Sequence, residues 1–360
     1  MDAPRMIETR GWLDGAAISE GGVALEGWVS SCEGAPIDGY RLFAAGRWLD
    51  DVRVQDRLAS PDVARLRPGL PYAAACRFAL WAPLEAGEAT RLDERVAVVV
   101  PTRIGVPGSP LLRPMKRPVI PWPPEDEIDG VGAGGLAVAI EYFGYMLSLG
   151  GLTPESDVLD VGCGWGRLAY PLAGFLASSA RCEGFDVVES FIVRAQQSFA
   201  PLPNFRFQRL SVRNSWYSGD AQLDGSQLEF PYEDASFDLV VVASVFTHLR
   251  AVEVRRYLAE IGRVLRPGGR CLATAFLLDD EARAAIAGGR STLAIQHPFE
   301  GGLTLDPDAP MQANAHPAAS LRAWANEAGL GIEQMLPGSW CGRTAFTTFQ
   351  DLMVLQANAR

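Results

Sequence analysis

Ten consecutive residues, Val158-Leu159-Asp160-Val161-Gly162-Cys163-Gly164-Trp165-Gly166-Arg167, constrain this chain more than any other stretch. An apolar strand runs into a turn with glycine at every second position, and a helix is expected from about Gly166. Because Gly162 and Gly164 carry no Cβ, the backbone there can approach a ligand closely, and the N–H groups opening the next helix favour negative charge. A nucleotide-type ligand is the expectation. About twenty residues further on, Gly184-Phe185-Asp186 ends a second strand with a carboxylate placed to accept hydrogen bonds from two ribose hydroxyls. The spacing is Gly-x-Gly-x-Gly, whereas dinucleotide enzymes use Gly-x-Gly-x-x-Gly, so no pyrophosphate cradle is evident. Taken alone, such a turn also serves close strand–helix packing.

The surrounding pattern supports a ligand-binding sheet. Leu136, Ile140, Phe143 and Leu147 repeat at helical spacing until Gly150-Gly151 and Pro154 end the helix. Strand-like and helix-like segments then alternate: Val158 to Val161, a helix from about Gly166, Arg181 to Asp186, a helix from about Ser190, Phe205 to Leu210, Phe237 to Ser244, a helix across Val252 to Leu265, and Arg270 to Phe276. Alternation of this kind predicts an α/β fold, a parallel sheet with helices on both faces.

Four segments in this order, Asp160 to Gly166, Asp186, Phe237 to Ser244, and Arg263-Val264-Leu265-Arg266-Pro267-Gly268-Gly269-Arg270, resemble the class I, Rossmann-like S-adenosylmethionine-dependent methyltransferases. The resemblance covers residues 125–360. It implies a seven-stranded sheet whose last strand is antiparallel, with Ile332 to Leu336 and Leu352 to Leu355 as the final pair. It also implies S-adenosyl-L-methionine as cofactor. Carried over by position, Asp160, Gly162, Cys163 and Gly164 lie on the methionine side, Gly166 is a further cofactor contact of the same turn, and Asp186 holds the ribose. Val187 packs on the adenine, and Ser244 and Val245 lie near the methionine portion. Where the family often has Asp or Asn facing the adenine amino group, this chain has Ser211 then Val212, a departure at the adenine contact. Asp238 is expected to be structural. Each assignment has a plainer alternative: Asp160 bonding loop amides, Val187 in the core, Ser211 capping a turn.

His248 follows the fourth strand, where the acceptor of the methyl group is expected. For a hydroxyl acceptor the displacement needs a proton removed, and histidine is the natural base near neutral pH. A helix cap or a loop tether is the alternative. His297 and His316 lie in a segment from about Leu278 to Pro317 that is long for a connection and is expected to act as a lid or acceptor wall. The stretch Gly338 to Arg343 is a second candidate wall, although its Trp340 could equally belong to the core.

The first hundred residues have a different texture. Val23, Leu25 and Val29, a hairpin of Ile37 to Ala44 and Arg47 to Val54 about Ala45-Gly46, Ala75 to Trp81, and Arg95 to Val100 read as short strands, predicting an N-terminal β-sandwich over residues 1–105. It resembles accessory sandwich modules that accompany bacterial glycan-modifying enzymes, and a packing or dimerisation module is the alternative. Eight prolines between Pro101 and Pro124 mark residues 106–124 as a linker. Residues 120–360 are expected to fold and bind cofactor alone.

Composition narrows the partners. With 32 Lys and Arg against 43 Asp and Glu the net charge is −11, and Lys116 is the only lysine, so nucleic acid is not expected. Apolar runs such as Leu239 to Phe246 fall far short of the roughly 18 residues a spanning helix needs. The opening Met-Asp-Ala-Pro-Arg lacks the order of a secretion signal, and a cytoplasmic location is expected. The six cysteines (Cys32, Cys76, Cys163, Cys182, Cys271, Cys341) form no Cys-x-x-Cys pair, so neither zinc nor a disulfide framework is expected. The expected activity is methyl transfer to a small polar acceptor, a sugar or glycan hydroxyl. A carbon or nitrogen acceptor, a non-catalytic cofactor-binding scaffold and, disfavoured by glycine spacing, a nicotinamide oxidoreductase are the rivals.

Overall fold

The computed structural model describes residues 7, 9–19, 21–32, 35–44, 47–85, 96–103, 106–108, 110–114, 120, 123, 135–213 and 223–358. They fall into two units, one of Pro4–Gly144 with Leu168–Ala177, the other of Tyr145–Arg167 with Ser178–Arg360.

The first unit is built on antiparallel strands: β1 (Thr9–Ser19), β2 (Gly22–Ser31), β3 (Gly39–Ala44), β4 (Arg47–Leu49), β5 (Arg53–Leu58), β6 (Arg77–Pro83), β7 (Val96–Arg103), β8 (Val106–Pro107) and β9 (Leu111–Pro114). One sheet runs β1-β2-β6-β5; the other runs β4-β3-β7-β8, with β9 on β7. Alternate residues along β2 and β6 are buried, as a sheet with one covered face requires. Leu25, Phe78 and Leu80 from the first sheet share a buried cluster with Leu42, Ala97 and Val99 from the second. Ala44 pairs with Arg47 across the expected hairpin, whose tip, Ala45-Gly46, lies outside the described residues, but its second strand stops at Leu49, and Arg53 and Val54 belong to β5 in the other sheet. Within the proline-rich stretch, β8 and β9 pair on β7, while residues 115–119, 121–122 and 124–134 lie outside the described residues. Proline removes an amide donor but is tolerated at the edge of a sheet, where Pro107 and Pro114 end their short strands.

The second unit is the α/β fold expected from the alternation. Its strands are β10 (Val158–Val161), β11 (Cys182–Asp186), β12 (Phe205–Arg209), β13 (Val212–Arg213), β14 (Leu223–Asp224), β15 (Phe237–Val242), β16 (Leu265–Leu278), β17 (His297–Phe299), β18 (Gly302–Thr304), β19 (Asn314–Pro317), β20 (Leu330–Leu336) and β21 (Asp351–Ala357). The sheet runs β12-β11-β10-β15-β16, all parallel. At β16 it forks. Arg270 to Ala275 pair antiparallel with β21, which pairs antiparallel with β20, completing the seven strands expected. Phe276 to Leu278 pair instead with β19, which leads on to β18 and β17.

Central strands buried on both faces read as continuous apolar runs, and every residue of β10 is buried. The helix Ala251–Val264 turns Val254, Tyr257, Leu258, Ile261 and Val264 inward at helical spacing, and the Arg250 N–H donates to Glu253 Oε2 at 2.8 Å to cap its start. The expected helix after the glycine turn is short, Ala169–Ala173. The segment expected as a lid is ordered structure, with a helix at Asp280–Ala287 followed by β17, β18 and β19. Strands of three or four residues are too short to show a period of two, which is why the sequence reads there as loop.

Candidate active site

The glycine turn is forced into its shape from several sides. Gly162, Gly164 and Gly166 have φ of 72°, 55° and 84°, the left-handed region that glycine enters without a Cβ clash. The amides of Gly162 and Cys163 donate to the Phe185 carbonyl at 2.9 and 3.0 Å, which ties the turn to the end of β11. Asp186 completes the tie. Its Oδ2 accepts the Gly164 amide at 2.8 Å and its Oδ1 accepts the Val188 amide at 2.9 Å. The three glycines then do different work: a Cβ on Gly166 would meet Phe199 at 2.9 Å, one on Gly162 would meet Val245 Cγ2 at 2.5 Å, and one on Gly164 would stand in open space. Gly166 is there for packing, Gly162 for close approach to the end of β15, and Gly164 borders room for a ligand.

Asp160 lies under this turn. It is 3% exposed, and its Oδ2 has no hydrogen-bond partner. Burial pushes its carboxyl up to about 7, helped by the neighbouring Asp186 and opposed by Arg167. A buried, unsatisfied carboxyl oxygen is costly unless something binds it. A ligand with cationic groups and N–H donors, as on the methionine end of S-adenosylmethionine, suits it. Burial also raises the Asp186 carboxyl, against the pull of the Val188 and Gly164 amides.

At the carboxyl end of β15, Ser244 has φ of 60°, a strained setting for a residue with a side chain. Its amide donates to Thr274 Oγ1 at 2.8 Å, and the Thr274 hydroxyl donates to Gln350 Oε1 at 2.6 Å. Sequence reasoning missed this support. Its signal was present, since Thr274 is the one polar residue in the apolar run Leu272 to Leu278 of β16.

The other carried-over residues divide. Cys163 is buried, its thiol pushed well above its ordinary value by burial, and its Cβ lies 2.9 Å from where a Cβ on Gly184 would stand, so its side chain packs in the core. Val187 is half-buried against the main cluster. Val212 is a buried member of that cluster and pairs with Leu223, whereas Ser211 is exposed. Asp238 has the structural role expected, accepting the Asp157 amide at 2.8 Å and pairing with Arg266 at 2.5 Å.

His248 ends a short helical turn, Phe246–His248, and its Nδ1 lies 3.1 Å from the Met311 carbonyl. Taken as the donor, Nδ1–H leaves the basic lone pair on Nε2. Burial lowers its pKa, while the carbonyls of Met311 and Gln312 pull it back up. His316 makes the reciprocal link, Nε2 to the Phe246 carbonyl at 3.0 Å. Asn314 donates to the Leu249 carbonyl at 3.3 Å, and Glu300 accepts the Ala251 amide at 3.1 Å. Residues 297–317 are thus laced to residues 246–251 by four side chains. The second expected wall is core instead: Trp340 is fully buried, donating from Nε1 to Asp351 Oδ2 at 2.6 Å, and Arg343 pairs with Asp351, Asp279 and Glu281.

Among the described residues no His, Cys, Asp and Glu group could hold a metal, and no helix is long and apolar enough to cross a membrane.

Comparison with known proteins agrees with this geometry. Residues 159–273 match the family model described as a methyltransferase domain. An uncharacterized protein of Haemophilus influenzae is 27% identical over 128 residues, 36% of this chain and 45% of its own length. The demethylmenaquinone methyltransferase of Bacillus mycoides is 28% identical over 123 residues, 34% of this chain and 46% of its own length. The chain therefore spans a little under half the length of these curated relatives. A solved S-adenosylmethionine-dependent methyltransferase from Methanosarcina mazei aligns at 20% identity and a TM-score of 0.40, over 58% of this chain and 95% of its own. The glycine turn, the acid at the end of β11 and the matched segment point the same way: residues 159–273 match a methyltransferase domain.

Proposed function

We propose that the whole chain transfers the methyl group of S-adenosylmethionine to a hydroxyl of a small, polar, sugar-like acceptor. The observation that carries methyl transfer is the unsatisfied Asp160 carboxyl beside the open space at Gly164, in a turn held by Asp186. Asp160, Gly162 and Gly164 hold the methionine end, Asp186 the ribose, and Val187 the adenine, with Ser211 and Val212 at its far edge. Ser244 and Val245 border the methionine portion.

Bound there, S-adenosylmethionine supplies a methyl group on a sulfonium sulfur, a leaving group that needs no acid. What the chain adds is alignment and a place for the acceptor's proton. His248 takes that proton at Nε2, its ring fixed by the Met311 carbonyl. The laced segment of residues 297–317 forms the acceptor wall. A second reading, transfer to carbon, has in its favour the Bacillus relative named for demethylmenaquinone. The two N-terminal sheets, with one shared cluster, support an accessory β-sandwich over residues 1–105, joined through residues 106–124 to the methyltransferase domain of residues 125–360.

The test is an acceptor screen with labelled methyl donor. Label on an oxygen of a saccharide supports the reading. Label on carbon or nitrogen replaces the acceptor assignment, and cofactor binding without turnover on any acceptor class leaves a non-catalytic scaffold.

A further inference from the structure

The outer face of the β1–β2 pair carries an aromatic surface that the methyltransferase reading does not use. Trp12 and Trp28 stand directly opposite one another in that pair, which puts both side chains on one face. Both line a cavity of about 1090 Å³ within the first unit, together with Arg10, Arg67, Leu70 and Pro71. The two rings are not equivalent. Trp28 is half-buried, packed against Val63, Ala73 and Cys76, and forms a fixed floor. Trp12 is 57% exposed.

The contrast with the neighbouring tryptophans is informative. Trp48 and Trp81 are each covered by an arginine, Arg41 at 4.1 Å and Arg53 at 4.5 Å from the ring centre. Trp12 has no such cover among the described residues. A large indole left exposed in a concave site is the usual mark of a ligand surface. The same cavity holds two exposed arginines, and Arg67 makes no ion pair among the described residues. In a chain of net charge −11, Arg67 is placed to take an anion.

The chemistry selects the ligand. A pyranose ring offers a flat face of C–H groups that stacks on indole while its hydroxyls stay in water, and a carboxylate matches the planar fork of arginine. One arginine without an ion pair suits one carboxylate. A nucleic-acid backbone carries a phosphate at every nucleotide and needs a run of cations, and a bilayer needs a protruding apolar surface rather than a cleft. We propose that this cavity binds a carboxylate-bearing oligosaccharide, a sugar ring stacked on Trp12 and Trp28 and a uronate carboxylate held by Arg67. This site is separate from the methyl-transfer reading and is measured without turnover.

The experiment is calorimetric titration of the full chain with tetragalacturonate and a hyaluronan tetrasaccharide, with maltotetraose as the uncharged control. At least one acidic sugar is expected to bind tenfold or more tightly than maltotetraose. Trp12→Ala should weaken that binding at least tenfold, and Arg67→Gln should remove the preference for the acidic sugar. S-adenosylhomocysteine affinity should be unchanged in both variants, so a failure here is distinct from a failure of the methyltransferase site. No binding of either acidic sugar, binding indifferent to Trp12→Ala, or a preference for an oligonucleotide or for phosphatidylglycerol vesicles overturns the proposal.

Discussion

The Asp186 carboxylate holds the Gly164 amide at 2.8 Å, so the group expected to bind ribose also fixes the turn expected to bind the rest of the cofactor. Asp186→Ala should therefore fail twice. Losing a charge-assisted pair of hydrogen bonds to ligand should weaken cofactor binding by about 1.5 to 3 kcal/mol, and releasing the Gly164 and Val188 amides should lower stability by about 1 to 2 kcal/mol. Calorimetry and urea unfolding of the variant read the two losses separately. Wild-type affinity would remove Asp186 from the ribose site.

Gly162 and Val245 form the second tight relationship. Gly162→Ala places a Cβ 2.5 Å from Val245 Cγ2 at a φ of 72°, and should cost about 2 to 3 kcal/mol through clash and backbone strain together. Val245→Ala makes room for the methyl but does nothing for φ. The double variant should recover part of the loss, and a double-mutant cycle by urea unfolding measures how much. Strict additivity would mean the two residues do not meet.

Asp160 gives a pH signature. Its folded pKa of about 7 lies above the value of roughly 3.9 in an unfolded chain, so between those limits the unfolded chain has lost a proton that the folded chain keeps. Stability of the ligand-free chain should be fullest below pH 4 for this group and decline as pH rises to 7. Asp160→Asn should remove the decline, gaining up to about 4 kcal/mol at pH 8 and little near pH 4. Urea unfolding at both pH values checks it, and an equal gap between wild type and variant at the two would contradict the burial argument.

His248→Ala should lower turnover by about 100- to 10,000-fold with cofactor affinity nearly unchanged. Burial holds the imidazole pKa below its ordinary 6.5, so the base form persists into mildly acidic solution and the acid limb of turnover should fall below that pH. If cofactor binding collapses as well, the ring serves to tether residues 310–312. Turnover surviving within a few-fold would leave catalysis to alignment alone.

A chain cut to residues 120–360 tests the division expected from the sequence. It retains Phe175 but loses Phe43, whose ring lies 5.1 Å away in the full chain. The cut chain is expected to unfold at lower temperature than the full chain, because Phe175 then keeps its edge contact with Phe143 but not its contact with Phe43. An unchanged melting temperature would mean the two parts share no stabilising contact.

What was legible in the sequence follows from periodicity and from glycine. The run Val158 to Val161 and the helix stripe Val254, Tyr257, Leu258, Ile261 are long or regular enough to declare their type. The turn from Gly162 to Gly166 was read as ligand-facing throughout, and the structure assigns Gly166 to packing on Phe199, because spacing does not say what lies opposite each missing Cβ. Thr274 escaped notice since its hydroxyl acts from a neighbouring strand on Ser244, a contact across 30 residues. The segment from His297 to Pro317 looked like a loop because its strands are too short to alternate. Trp340 could be read either way until its Nε1 was found on Asp351.

The most direct measurement of the central claim is a calorimetric titration of the full chain with S-adenosylhomocysteine and, separately, with NAD. One-site binding of S-adenosylhomocysteine, weakened in Asp186→Ala, with no heat from NAD, is the expected result. Binding of NAD in its place, or of neither ligand, would contradict the account.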